Sequence, residues 1–377
     1  MPGTGAGLEG TVATESKLCF IDGAKGILSY QGYRIETLAD NATFEEVVYL
    51  LWHGRLPKQA ELDELRAALV SHRELPAQVN AFLADTVKTY PKVGPMHVLR
   101  TAVSMLSFSD PDAENVDPVE AAKKAIRLMA QTATIVTSFD RLRNGKEIVP
   151  GDPSLGHAAN FLYTLTGKKP DDVMERAFDI ALILHAEHEL NASTFAGRVT
   201  AATLSDIYSA VTAAIAALRG PLHGGANEAV IKLLLTVNTP EEAVAKVKDM
   251  LDNKVKVPGF GHRVYKTLDP RATSLKGLSE ELSKRTGHEN LYKMSKDVEK
   301  YIHEAKGLNA NVDFYSASSY YSLGIAPDLF TPIFAVSRMS GWTAHILEQY
   351  SHNRLIRPRA EYTGPEVGQK WVPIADR

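Results

Sequence analysis

Two histidines lie in glycine-rich segments of the sequence. His223 stands in GPLHGGANEAV, just before a helical pattern, and His262 stands in VPGFGHRVYKTLDPR, after Pro258, Gly259 and Gly261. Glycines beside a histidine let a ligand come close to the backbone. Near a helix N-terminus the imidazolium is disfavoured, and a neutral imidazole can donate a hydrogen bond to an enolate-like oxygen. The alternative for His223 is a histidine packed in a turn.

A carboxylate and a guanidinium could complete such a site. Asp313 lies in NVDFYS, where a polar loop meets an apolar, aromatic-rich stretch. Desolvation there would raise the basicity of its carboxylate, which removal of a proton from carbon requires. The alternative is that Asp313 is a helix N-cap. Asp269-Pro270-Arg271 predicts a helix start, where the dipole does not favour a guanidinium. Arg271 is therefore expected to have a partner such as a carboxylate, or else to be a surface arginine.

One pair of histidines has a spacing that suggests a metal. His185 and His188 are three residues apart in HAEHELNAST and would share a face if this segment were helical. No HExxH pattern is present, and Glu187 is expected to point away from that face. The alternative for either residue is a buried, hydrogen-bonded histidine.

Several arginines occur towards the carboxy terminus. Arg338 lies in the mostly apolar stretch FAVSRMSGW, and because burial without a partner is costly, a paired or ligand-binding guanidinium is expected. NRLIRPR carries Arg354, Arg357 and Arg359, which could form a solvated surface or the rim of an interface.

Helix signals dominate the elements that must position these residues. Thr43 to Glu46 is typical of a capping box, Asp117 to Glu120 of an N-cap followed by proline, and Thr239 to Glu242 of both together. Between Asp206 and Leu218 the apolar residues form one stripe at helical spacing, and Gly220-Pro221 predicts its end.

Alternating strand patterns are scarce. The exception is Leu18 to Tyr33, where CFI and ILSY flank the turn residues Asp22 to Gly26 and predict a small hairpin. Helices that recur without strands argue against a Rossmann or barrel architecture. The predicted fold class is therefore all-α with a minor amino-terminal β hairpin.

Composition narrows the functional classes. The 377 residues are 44% hydrophobic, which predicts a globular protein of one or two domains, and the formal charge of −3 leaves no net positive field for nucleic acid. Cys19 is the single cysteine, so neither an intrachain disulfide nor a cysteine-rich zinc site can form. No apolar run is long enough to span a membrane, and MPGTGAGLEGTVATES lacks the pattern of a targeting peptide. We expect a soluble cytoplasmic protein.

Taken together, the motifs resemble the citrate synthase family in its short bacterial and archaeal form. GFGHRVYKTLDPR resembles the family signature, GPLHGGANE its second histidine motif and NVDFYS its aspartate motif, and the order and spacing also fit. The resemblance covers most of the chain. It implies an acyltransferase of the tricarboxylic acid cycle that condenses acetyl-CoA with oxaloacetate and hydrolyses the thioester, without a metal or a permanently bound cofactor.

The resemblance also implies roles for individual residues. Asp313 would remove a methyl proton from acetyl-CoA, His223 would stabilise the enol or enolate, and His262 would polarise the oxaloacetate ketone and protonate its oxygen. Further residues would hold the carboxylates of oxaloacetate and citrate: His188, Arg271, Arg338 and Arg357. Coenzyme A contacts are implied for Lys254, Lys256, Val257, Gly259, Gly261 and Arg263.

The family further implies the organisation of the molecule. A large helical domain would comprise residues 1–223 and 321–377, a smaller one residues 224–320, and the active site would lie between them. A homodimer with shared active sites is implied, in which Arg357 reaches the partner's cleft. Two positions depart from the family pattern, Gln31 in YQGY in place of arginine and Ala317 in NVDFYSA in place of glycine.

Two other functions are considered. A 2-methylcitrate synthase would use propionyl-CoA with the same catalytic residues, and the choice depends on the pocket around the acyl methyl group. A metal-dependent hydrolase would use His185, His188, His223, His262 and Asp313 as ligands, but the histidines in the glycine-rich loops lack ligand-like spacing and the arginines would have no role.

Overall fold

The computed structural model describes residues 6–8 and 10–377. Residues 1–5 and 9, which belong to the segment considered above for targeting signals, lie outside the described residues. Sixteen α-helices and one small sheet form the described chain, which confirms the all-α prediction. None of the helices in residues 6–8 and 10–377 has the length and apolar character needed to cross a membrane.

The helices are distributed along the whole chain as follows. The first ten are α1 Ile35–Asn41, α2 Phe44–His53, α3 Gln59–Ser71, α4 Ala77–Thr89, α5 Pro95–Met105, α6 Pro118–Arg143, α7 His157–Thr166, α8 Asp172–His185, α9 Ala192–Ala201 and α10 Ile207–Leu218. The remaining six are α11 Ala226–Leu234, α12 Pro240–Asp252, α13 Pro270–Thr286, α14 Glu289–Lys306, α15 Val312–Ser322 and α16 Phe330–Ser351.

The helix starts that were predicted from local signals are present. Thr43 and Glu46 form the reciprocal capping box of α2, and the Asp117 carboxylate caps α6 ahead of Pro118. At α12 one part of the prediction is wrong. Thr239 caps the Glu242 N–H, but the Glu242 carboxylate accepts from the Asn238 N–H instead of closing a box on Thr239.

The predicted hairpin is present and has a third strand. Strands β1 Cys19–Asp22 and β2 Ile27–Tyr30 are antiparallel, with Cys19 opposite Tyr30, and β2 pairs with the two-residue strand β3 Tyr33–Arg34. A strand of two residues is too short to give an alternating pattern, so the sequence did not predict it.

Helix α16 forms the centre of the helical packing. Nearly all of its side chains are buried, from Phe330 to Tyr350, and it packs against α2, α6, α8, α9 and α10. A helix that is buried on all of its faces is typically surrounded by other helices. Helices α11 to α15 pack mainly on one another. The division into residues 1–223 with 321–377 and residues 224–320 stays a prediction.

The last segment of the chain has no regular structure beyond α16 apart from a short 3-10 helix at Ile374–Asp376. Its apolar side chains are exposed in the single chain, with Trp371 at 82% and Val372 at 42%. Neither side chain is therefore buried within one chain.

Candidate active site

His262 is held by the backbone of its own loop. Its Nδ1 accepts hydrogen bonds from the N–H groups of Val264 at 3.0 Å and Tyr265 at 3.2 Å. Burial, followed by the charge of Arg271, lowers the pKa of His262 to about 4. The ring is thus neutral at pH 7, and because Nδ1 is an acceptor, its proton is on Nε2. His262 therefore offers an N–H donor on the side away from its loop.

His223 is also held by a backbone N–H group, but through Nε2 instead of Nδ1. Its Nε2 accepts from the backbone N–H of Ser193 at 3.3 Å and lies 2.8 Å from the Ser193 hydroxyl. Trp342 donates to that hydroxyl from Nε1 at 3.1 Å. Burial, with a contribution from Arg338, lowers the pKa of His223 to about 4. The neutral ring therefore carries its proton on Nδ1, where it can serve as a donor.

Asp313 lies in the first turn of α15 and does not cap it. The N-cap is Asn311, whose side chain accepts from the Asp313 N–H at 3.0 Å, so the N-cap interpretation of Asp313 is wrong. Burial raises the pKa of Asp313 to about 6, although the positive charges of Arg271 and Arg338 act in the opposite direction. A partly desolvated carboxylate of this kind is ionised at pH 7 and more basic than an exposed one.

Asn311 also joins the Asp313 helix to the His262 loop. Its side-chain amide donates to the Gly261 carbonyl at 3.0 Å, and its backbone N–H donates to the Gly259 carbonyl at 2.9 Å. Gly259 has a φ of +83°, and a Cβ there would lie 2.8 Å from both Phe314 and Val230. The glycine is required by this close packing.

Tyr265 brings three of the predicted residues together. Its hydroxyl lies 3.1 Å from Nε2 of His188, its ring centre 4.8 Å from that of His262, and its ring centre 6.0 Å from the guanidinium carbon of Arg271. The rings of His188 and His262 are 5.4 Å apart. Burial, with the charges of Arg271 and Arg338, lowers the pKa of His188 well below its ordinary value, so this ring is also neutral.

Arg271 has the carboxylate partner that its position predicted. It lies in the first turn of α13, is 2% exposed and pairs with the N-cap Asp269 through Nε at 2.9 Å and Nη2 at 2.7 Å. Burial opposes both charges, but their pairing lowers the pKa of Asp269 and raises that of Arg271, so both stay ionised. Asp269 does not use Nη1, which is available for a ligand.

Arg338 is the buried guanidinium predicted on α16. It is 1% exposed, donates from Nε to the His185 carbonyl at 2.7 Å and lies 4.7 Å from the ring centre of Phe334. The ring of His223 is 6.5 Å from the same phenyl ring. The charge of Arg338 reaches His223, and within residues 6–8 and 10–377 only the Nε of Arg338 donates a hydrogen bond.

The prediction that His185 and His188 share a helix face is wrong. Helix α8 ends at His185, and His188 lies in the irregular segment that follows. His185 contacts the Ala181 carbonyl through Nδ1 at 2.7 Å, whereas the Glu187 carboxylate is buried against Nε2 of His345 at 3.0 Å. Within the described part of the chain, no three histidine, cysteine, aspartate or glutamate residues are grouped so that they could hold a metal ion.

Arg357 is not brought to this cluster within one chain. Helix α16 ends at Ser351, so Arg357 does not lie on it. Arg357 is exposed and makes no hydrogen bond or ion pair with any of residues 6–8 and 10–377. Its role stays a prediction.

The residues predicted to contact coenzyme A lie in the chain segment that leads to His262 and just beyond it. Lys254, Lys256 and Arg263 are exposed, whereas Val257 is buried. A cavity of about 280 Å³ lies next to them, between the Gly261–Asp269 segment and residues 307–311. These contacts stay predictions.

Some residues that organise the site were not singled out from the sequence. Ser193 and Trp342 orient His223, Tyr265 links His188 to His262, and Asn311 ties the aspartate helix to the histidine loop. Asn311 had a local signal, since an asparagine two residues before an aspartate at a loop–helix junction is a typical N-cap.

Comparisons with known proteins agree with this geometry. The sequence model of the family described as "Citrate synthase, C-terminal domain" matches residues 7–359. Citrate synthase 2 of Bacillus subtilis is 53% identical over 98% of this chain and 98% of its own length. A 2-methylcitrate synthase of Shewanella oneidensis is 43% identical over 99% and 98%.

A solved structure covers the chain as completely. The ternary complex of a Thermoplasma acidophilum citrate synthase with carboxymethyl coenzyme A and oxaloacetate aligns with a TM-score of 0.91 and 36% identity, over 99% of both chains. The all-helical architecture is therefore shared over the full length.

Proposed function

The chain belongs to the citrate synthase family and is an acyltransferase of the citrate (Si)-synthase type, and from this premise we propose how its residues condense acetyl-CoA with oxaloacetate. One observation carries the proposal. His223 and His262 each have one ring nitrogen held as an acceptor by backbone N–H groups, which leaves each an N–H donor for an oxygen that gains charge. Asp313 supplies the base.

The first step is removal of a proton from the acetyl methyl group. The Asp313 carboxylate takes the proton, and the electron pair of the C–H bond moves towards the thioester oxygen. The Nδ1–H group of His223 donates to that oxygen. A neutral histidine suits this task because it stabilises the enolate without first being deprotonated, and its pKa of about 4 keeps it neutral at pH 7.

The second step forms the carbon–carbon bond. The methyl carbon attacks the ketone of oxaloacetate, and the ketone oxygen takes the proton from Nε2 of His262 to become the citryl hydroxyl. The proton that Asp313 removed from the methyl group then replaces the one that His262 gave up, so that Asp313 is again a carboxylate and His262 again neutral. His188, Nη1 of Arg271 and the fork of Arg338 hold the carboxylates, which need guanidinium partners of this kind. Water then attacks the thioester of citryl-CoA, and citrate and the thiol of coenzyme A leave.

Coenzyme A is proposed to bind along the rim formed by residues 254–263. Lys254, Lys256 and Arg263 are exposed and could contact its phosphates, while Val257, Gly259 and Gly261 shape the backbone there. The cavity of about 280 Å³ is lined by Gly261 and His262, at the end of this segment.

We further propose a homodimer in the cytoplasm, with a place in the tricarboxylic acid cycle. Arg357 would reach the carboxylates bound in the partner's cleft. Arg357 is exposed in a single chain, and Trp371 is 82% exposed. Both observations support the proposal that a second copy of the chain covers this surface. The single cysteine, Cys19, supports a reducing compartment.

The test compares acetyl-CoA with propionyl-CoA as partners of oxaloacetate, following thiol release and the organic acid formed. We expect citrate, and a higher kcat/KM for acetyl-CoA; one methylene is worth about 10- to 200-fold in such discrimination. His262→Ala should abolish condensation, whereas His303→Ala, at an exposed position on α14, should not. A higher kcat/KM for propionyl-CoA would make the chain a 2-methylcitrate synthase.

A further inference from the structure

The amino-terminal hairpin, residues 19–30, contacts two separate parts of the candidate active site. Its first contact is with the segment that carries His188, residues 183–188. The Tyr30 hydroxyl donates to the Glu187 carbonyl at 2.9 Å, lies 3.2 Å from the Ile183 carbonyl and accepts from the Glu187 N–H at 3.3 Å. Tyr30 is fully buried, so no water replaces these bonds when the hydroxyl is removed.

This segment needs an external partner because helix α8 ends within it. The helix does not continue beyond the C-cap Ala186, and the Ile183 carbonyl in its last turn accepts only a long hydrogen bond, at 3.3 Å, from the Ala186 N–H. The Tyr30 hydroxyl lies beside that carbonyl and binds both the N–H and the carbonyl of Glu187, the residue just before His188. The orientation of His188, and that of the His185 carbonyl that binds Arg338, therefore depends on β2.

The second contact is with the loop that carries His262, residues 261–268. The Lys266 N–H donates to the Gly23 carbonyl at 2.8 Å, and a Cβ on Gly23 would lie 2.1 Å from the Val264 carbonyl oxygen. That carbonyl belongs to the backbone, so a side chain at position 23 would have to displace the loop. The N–H groups of Val264 and Tyr265 orient His262, hence a displaced loop reorients the ring.

The turn that makes this contact is itself rigid. The Asp22 carboxylate accepts the N–H groups of Ala24 at 3.1 Å and Lys25 at 3.0 Å. Gly26 has a φ of +65°, and a Cβ there would lie 2.9 Å from the Leu268 carbonyl. A stiff turn and a buried tyrosine are thus the two ends of one short hairpin, with Asp22 paired to Ile27 and Cys19 to Tyr30.

We propose that the amino-terminal hairpin is a clamp that sets the spacing between His188 and His262, with Tyr30 and Gly23 as positioning residues for oxaloacetate. The inference rests on the proposed roles of His188 and His262. Neither Tyr30 nor Gly23 touches the substrate. Their effect reaches it through the 5.4 Å separation of the two imidazole rings.

The test measures kcat and the KM of each substrate for Tyr30→Phe, Gly23→Ala and the double variant. We expect the KM for oxaloacetate to rise in each single variant, so that its kcat/KM falls between about 10-fold and 100-fold, as for a reacting group displaced by up to about 1 Å. The KM for acetyl-CoA at saturating oxaloacetate should change little. Because one loosened end already frees the clamp, the double variant should lose less than the product of the two single effects.

Matched controls separate positioning from a general loss of stability. Tyr33→Phe removes a hydroxyl that bonds to no residue of the described chain, and Gly277→Ala adds a methyl group where nothing lies within 4 Å. Both should behave as the wild type. A variant that is only less stable would melt earlier and lose active enzyme without a change in the KM for oxaloacetate.

Distinct outcomes separate the clamp from the proposed function. An unchanged KM for oxaloacetate in both single variants, or effects that multiply in the double variant, would overturn the clamp while the wild type still forms citrate. A wild type without citrate formation, or an active His262→Ala variant, would overturn the proposed function instead.

Discussion

Replacing Asp313 by asparagine should raise the stability of the folded protein while it removes the catalytic base. Burial raises the pKa of this carboxyl from 3.8 to about 6, so the folded state pays for its ionisation at neutral pH. At about 1.4 kcal/mol for each pKa unit, the difference corresponds to about 3 kcal/mol. Asparagine has nearly the same shape, carries no charge and avoids this penalty.

The penalty depends on pH in a defined direction. Below about pH 3.8 the carboxyl is protonated in both the folded and the unfolded chain, and it contributes no difference. As the pH rises from about 3.8 to 6, the unfolded chain loses its proton first and the folded protein is progressively destabilised. Asp313→Asn should therefore have the same melting temperature as the wild type near pH 4 and a higher one at pH 7 to 8.

The expected size of the effect is measurable. Unfolding entropy is about 2.1 cal/mol/K per residue near 60 °C, or about 0.8 kcal/mol/K for this chain, so about 3 kcal/mol raises the melting temperature by about 4 °C. Scanning calorimetry at several pH values gives this number. Condensation should fall by about 10²- to 10⁴-fold in the same variant because an amide cannot accept the methyl proton.

Two results would refute the reasoning. Equal melting temperatures at pH 8 would show that burial does not raise the pKa of Asp313, and retained turnover would show that Asp313 is not the base. Asp297→Asn, at an exposed aspartate on α14, is the matched control and should change neither property.

Three further predictions follow from the site. Oxaloacetate should bind first and create the acetyl-CoA site; isothermal titration that finds equal acetyl-CoA affinity with and without an oxaloacetate analogue would contradict this order. Arg357→Ala refolded together with His262→Ala should recover roughly a quarter of wild-type turnover, since each mixed dimer has one intact cleft, whereas no recovery would place Arg357 in its own chain's site. At saturating oxaloacetate, kcat/KM for acetyl-CoA should fall as the pH is lowered, with an apparent pKa of about 6 or above. A fall with an apparent pKa near 4 would be inconsistent with Asp313 as a buried base.

The sequence predicted best what is decided within a few residues. The capping box at Thr43, the proline-led start of α6 and the hairpin turn at 22–26 depend on neighbours along the chain, and the structure has all three. The partner of Arg271 was predicted by type because a guanidinium in a first turn needs a carboxylate. It proved to be Asp269, two residues away.

Contacts between distant segments could not be predicted in this way. The backbone N–H of Ser193, thirty residues earlier in the chain, determines that the proton of His223 is on Nδ1. No pattern of side chains in the sequence predicts that contact. The end of α8 before His188 has no glycine or proline to announce it. It is stabilised instead by the Tyr30 hydroxyl from the hairpin, which only the folded chain brings near.

The charges around Asp313 give a physical reason for the order of binding. Arg271 and Arg338 lower the pKa of Asp313 and so offset part of the effect of its burial. A dicarboxylate bound to these two guanidiniums would neutralise their charge and exclude water from around them, and both changes raise the pKa of a nearby carboxyl. Asp313 would then be a stronger base after oxaloacetate has bound, when there is an acceptor for the carbon nucleophile. Acetyl-CoA that enters an empty cleft would meet a weaker base and no acceptor.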